Sequence, residues 1–126
     1  MAVTHPIAVR KGICNFVVDQ LDEGTPPGTL VFQTSGDVEV ATLTFSATAY
    51  GAADGSAVAT ANAITSDTSA TAGTVAKARQ KNAAGTDKII CSVTATGGGG
   101  DIEISSTSVG AGDTVSCSSL TYTAPA

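Results

Sequence analysis

The stretch TVAKARQKNAAGTDKIICSVTA, residues 74–95, decides the fold. Two alternating runs, Thr74 to Lys81 and Asp87 to Ala95, flank Asn82-Ala83-Ala84-Gly85-Thr86, a loop of hairpin length and composition. Successive side chains of an extended chain point to opposite faces. Val75, Lys77, Arg79 and Lys81 therefore share one face, and Thr74, Ala76, Ala78 and Gln80 the other. The cationic face is predicted to point outward. On the partner strand Ile89, Cys91, Val93 and Ala95 are predicted to close onto the core against Ala76 and Ala78.

Downstream the same texture continues in shorter pieces. Gly97 to Gly100 reads as a turn, and Asp101 to Ser105 as a short strand with Ile102 and Ile104 inward. Gly110 to Asp113 turns the chain again, and Thr114 to Thr123 reads as a long strand ending at Pro125, with Leu120 and Tyr122 on one face. Upstream, Thr29 to Thr34 and Val38 to Ser46 are predicted strands joined across Ser35, Gly36 and Asp37. Ala41, Leu43 and Phe45 share the predicted core face of the second, with Thr42 and Thr44 opposite. Ala47 to Gly55 ends in the Asp54-Gly55 turn signal, Ala57 to Thr65 is a weak strand, and Ser66 to Ala72 is a loop of small polar residues.

The N-terminus differs. From Thr4 to Asp22, Val9, Ile13, Phe16, Val17 and Leu21 recur at three and four residues, predicting a helix with these side chains on its buried face. Thr4 is the predicted cap, Pro6 sits in the first turn, and Gly24, Pro26 and Pro27 stop the helix before Gly28. The fold expected is mainly β: one domain with an N-terminal helix region over 1–24 and a jelly-roll-like β-sandwich over 29–126.

Composition limits what such a domain can do. The chain has 126 residues, enough for one core, and of its 42 % hydrophobic residues many are Ala, with no Trp and five Phe and Tyr together. The core should be thin, and contact with neighbours would stabilise it. A net charge of −5 argues against nucleic acid as a partner. Only 13 % of residues are charged, about half the usual share. A surface of Thr, Ser, Ala and Gly suits a protein that spends its life against other proteins. Met1 to Val9 is interrupted by His5 and Pro6 and followed by Arg10 and Lys11, so it does not read as a signal peptide, and no stretch has the length of a membrane span. The expectation is synthesis in a cytoplasm, with Cys14, Cys91 and Cys117 as free thiols, since their spacing fits no zinc or redox motif.

Candidate chemistry is sparse. His5 is the sole histidine, and no nucleophile elbow, zinc-protease motif or phosphate-binding glycine loop is present. The glycines at 97–100 are followed by Asp101 rather than Lys, which suits a loose hairpin turn better than a phosphate cradle. Asp19, Asp22 and Glu23, and Asp101 with Glu103, lack calcium-loop spacing and read as solvated acidic patches. No catalytic residue, cofactor or metal is expected. Lys77, Arg79 and Lys81 carry the one partner-binding expectation: either they guard an edge strand against aggregation, or they contact an acidic partner surface.

Beyond these residues, the chain from Thr42 to Ala126 resembles short virion proteins of tailed phages and prophages. The likeness lies in the Leu43-Thr44-Phe45-Ser46 strand, the Tyr50-Gly51-Ala52-Ala53 turn, the Thr/Ala-rich loop, the hairpin, and IEISSTSVGAGDTVSCSSLTYTAP over 102–125. The helix with Arg10 and the Leu21 to Gly24 ending fit as well. In the hairpin the chain departs from the pattern, with Lys77, Arg79 and Lys81 where aromatic and aliphatic residues are expected. The resemblance implies a structural protein of the virion, favouring a capsid cement or decoration protein on the major capsid protein shell, homo-oligomeric and multivalent. The alternatives are a tail or head-to-tail joining component, and a carbohydrate-binding or adhesin-like β-sandwich.

Overall fold

Strands form where the alternation is strongest. A computed structural model describes residues 3–24, 27–117 and 119–124. The helix α1 (Ile7–Asp19) runs into a 3-10 turn over Gln20–Asp22. The strands follow: β1 (Thr29–Gln33), β2 (Glu39–Thr44), β3 (Val58–Thr60), β4 (Gly73–Thr74), β5 (Lys77–Lys81), β6 (Asp87–Ala95), β7 (Ile102–Ile104), β8 (Ser108–Val109) and β9 (Thr121–Thr123). A curled five-stranded sheet has the order β2-β1-β5-β6-β7, while β3 pairs with β9 and β4 with β8. The protein is mainly β with one N-terminal helix.

The hairpin β5–β6 is the spine of the large sheet. Ala78 faces Cys91 and Arg79 faces Ile90 across an antiparallel ladder, and the loop closes on Asn82, whose Oδ1 accepts from Ala84 and Thr86 N–H groups. As expected, Ala41, Leu43 and Phe45 are buried, and so are Ala78, Cys91 and Val93. Val75, expected beside the cations, is instead buried in the bend that leads into β5, with its N–H on the Thr107 carbonyl. Ala95, expected inward, is exposed where β6 ends.

The glycine run joins two neighbouring strands of the sheet. It does not close a hairpin, because β6 and β7 run parallel, with Val93 opposite Ile102 and Ala95 opposite Ile104. Parallel neighbours ordinarily need a crossover of a dozen or more residues. Here Thr96 to Asp101 double back in six, pressed so closely on Thr94 that a Cβ on Gly98 would lie 2.6 Å from Thr94 Cβ. Glu103 accepts from the Gly97 and Gly99 N–H groups, and Thr94 Oγ1 from Gly100 N–H, which fixes the return.

The last predicted strand is also shorter than expected. Among the described residues from Thr114 to Thr123 only β9 forms a ladder, with one further bridge from Val115 to Asp67. The expected end at Pro125 lies outside the described residues, as does Pro26.

The helix begins at Ile7, not Thr4. Pro6 is its cap residue, extended at ψ 154°, and no side chain caps the first turn. A residue before proline is disfavoured in helical conformation, so His5 cannot carry the helix back to Thr4. The buried face is Cys14, Val18 and Leu21, rotated away from the predicted one. Of the predicted face, Leu21 is buried and Ile13 packs on the core's margin, while Val9 and Phe16 stand in solvent. Cys14 Sγ contacts the Tyr122 carbonyl at 3.4 Å, and Arg10 donates to the Ala124 carbonyl at 3.1 Å, so α1 lies against the end of the chain. Asn15 and Asp22 side chains accept from Ala53 and Ala49 N–H and hold the 47–57 loop to the helix.

Candidate interaction surfaces

Lys77, Arg79 and Lys81 do line one face of β5, but β5 is interior to the sheet, between β1 and β6. The guarded-edge reading therefore falls. The row is closed by carboxylates of the same chain. Arg79 donates to Asp87 at 2.7 Å, Gln33 at 2.9 Å and Asp37 at 3.3 Å, Lys77 pairs with Asp37, and Lys81 Nζ lies 3.1 Å from Asp87 Oδ1. The cations are each about a quarter exposed. The Lys77 hydrogen bond and charge hold the Asp37 carboxyl below its ordinary value. Burial pushes Asp87 upward, but Lys81 and Arg79 together outweigh it and leave it low. Such a network locks the β1–β2 turn onto the hairpin and leaves little unpaired positive charge for an outside partner.

The opposite face of β5 carries Gln80, fully buried. Tyr50 Oη donates to its Oε1 at 2.7 Å, and its Nε2 points to Cys91 Sγ at 3.6 Å. Burial raises the Tyr50 hydroxyl and the Cys14, Cys91 and Cys117 thiols above their ordinary values, so the neutral forms are favoured. His5 is exposed ahead of α1, and among the described residues no three His, Cys, Asp or Glu side chains gather as a metal site. No described helix is long and apolar enough to cross a membrane.

The acidic residues expected as solvated patches are mostly engaged. Asp22 takes the Ala49 N–H, Glu23 pairs with Lys88, and Asp101 accepts from Ser92 N–H and Oγ. Asp54 takes the Ser56 and Val58 N–H groups, Asp67 those of Thr42 and Ser69, and Asp113 that of Gly110. Asp67 also ties the Ser66 to Ala72 loop along the outer edge of β2, where Thr71 N–H bonds the Val40 carbonyl.

Two surfaces stand apart from the β5 network. The first is apolar and convex: Val3, Ile7, Val9 and Phe16 are 78, 44, 47 and 67 % exposed. The second is concave. Three adjoining grooves of about 530, 250 and 270 Å³ share Leu120 and run beside Ser116, Cys117 and the stretch from Ser119 to Tyr122. The apolar residues at the margin of the core, among them Ile64, Ile89, Ile104, Cys117 and Tyr122, line this seam, and Asp101, Glu103 and Asp113 stand along its largest groove. Neither surface is legible in the sequence: Phe16 satisfies a helical spacing that reads as core, and the Ser- and Thr-rich end reads as a strand. Compared with known protein families, curated proteins and solved structures, the chain matches none.

Proposed function

We propose that this chain is a catalytically inert structural protein of a tailed-phage virion, a cement or decoration protein that reinforces the major capsid protein shell. The observation that carries this reading is how the charges are paired. Cations of the β5 row and most carboxylates are engaged inside the chain, leaving a Thr, Ser and Ala surface broken by exposed apolar side chains of the N-terminal segment and by Val38 and Ile90. Exposed apolar patches on a weakly charged surface suit lasting protein contacts. On this reading β3–β9, β4–β8 and α1 act as the second layer of a jelly-roll-like sandwich over the five-stranded sheet. Many copies, each with a modest interface, would be summed by the symmetry of the lattice.

The network at Lys77, Arg79 and Lys81 moves the expected shell contact away from that row. A carbohydrate platform built on the tyrosines is disfavoured, since Tyr50 is buried and Tyr122 half-buried. The test is a stained gel of purified particles probed for this chain. A band comparable to that of the major capsid protein supports a cement role. A trace band points instead to a head-to-tail joining or tail component, and absence from particles removes the virion reading altogether.

A further inference from the structure

We infer that the N-terminal segment of one copy, Val3 to Phe16, seats in the seam of a second copy, head to tail. This deepens the preceding reading, because neighbours on a shell need a contact with one another. The two surfaces are complementary in shape: one is a helix with its approach, the other a run of open grooves, the arrangement by which an amphipathic helix is commonly taken up. They match in polarity too. Val9 and Phe16 lie two turns apart on one ridge of α1, with Gly12 between them and open space around it. The seam offers Ile64, Ile104, Cys117 and Tyr122, apolar side chains that the core covers only in part.

Charge favours this pairing over self-contact of either surface. The start of α1 has no acidic residue in its first turn, carries Lys11, and adds the positive end of the helix dipole. The largest groove is flanked by Asp101, Glu103 and Asp113 with no Lys or Arg among its lining residues. Helix against helix would set like charges together, and so would seam against seam. A contact between unlike patches is heterologous, so each copy offers one of each and the chain of contacts continues until a ring closes.

Cys117 lines the seam and gives a direct test. Purified Val9→Cys protein, oxidised with copper phenanthroline, should give a ladder of dimers, trimers and higher species on a non-reducing gel. Adding Cys117→Ser should abolish the ladder. A product that stops at dimer and survives Cys117→Ser would mean that the introduced thiols of two copies meet each other, and overturns the proposal. In sedimentation velocity the parent chain should associate with rising concentration. Val9→Ser with Phe16→Ser should weaken this about tenfold or more, Lys11→Glu should weaken it most at low salt, and Val38→Ser, exposed elsewhere, should not. Since Phe16 is 67 % exposed, its loss should leave the melting temperature nearly unchanged, which separates lost contact from lost fold. A parent chain that stays monomeric at every concentration also overturns it. These measurements need no particle, so they can fail while the virion reading stands, and the reverse.

Discussion

Gln80 shows how much a single polar side chain can fix in a thin core. Its amide is buried between Tyr50 and Cys91, and an amide in that position must be satisfied or it costs more than it contributes. Tyr50→Phe removes one hydroxyl and strands the Gln80 Oε1. Denaturant melts should show a loss of about 1–3 kcal/mol, and adding Gln80→Leu should recover part of it. Carboxylates set a second expectation. Asp54 is held below its ordinary value by the Ser56 and Val58 N–H groups, Asp37 by Lys77, and Asp87 is also low despite burial pushing it up. A carboxylate lowered on folding stabilises fully above the unfolded value, near 4, and that contribution is lost as pH falls through the folded one. Melting temperature should therefore be level from neutral pH to about pH 5 and fall below about pH 4. Asp54→Asn, which keeps the acceptor but not the charge, should flatten part of that decline.

Elements differ in how far their sequences specify them. The hairpin is legible because a β-branched run over β6, a five-residue loop with Gly85 and the small Ala78 face all favour pairing these two runs, although the ladder slips between Gln80 and Lys81. The helix is legible in existence but not in orientation, since apolar residues occur on two sides and tertiary packing chose Cys14, Val18 and Leu21. No spacing rule distinguishes two apolar sides of one helix. Its charges also oppose its own dipole, with Lys11 near the start and Asp19 at the end. Gly12, exposed in the helix with nothing within 4 Å of an added Cβ, should accept Ala with a gain of about 0.5–1 kcal/mol. The glycine return is the contrasting case, where four like residues read as looseness and proved to be close approach. Gly98→Ala and Gly100→Ala, whose Cβ atoms would lie 2.6 and 2.9 Å from Thr94 side-chain atoms, should both lower the melting temperature. Gly55→Ala, with nothing within 4 Å, should not.

Across the whole molecule, contacts join distant parts of the chain. One apolar cluster runs from Cys14 to Ala124, and β1 pairs with β5 across the intervening β2, β3 and β4. Long separations slow folding, because loop-closure entropy is lost before the contacts form. The candidate surfaces are illegible in the sequence for the same reason. The seam is assembled from Ile64, Ile89, Ile104 and Tyr122, which only the complete topology brings together.

The clasp between α1 and the far end of the chain sets an order of events during synthesis. The helical segment leaves the ribosome early, yet the Tyr122 and Ala124 carbonyls that receive Cys14 and Arg10 are translated more than a hundred residues later. Until then the helix has only the earlier part of its bed, the 47–57 loop held by Asn15 and Asp22, and its unfavourable charge placement gives it little reason to form alone. The helix thus gains its full set of partners only once residues 121–124 have been made and β9 has paired with β3.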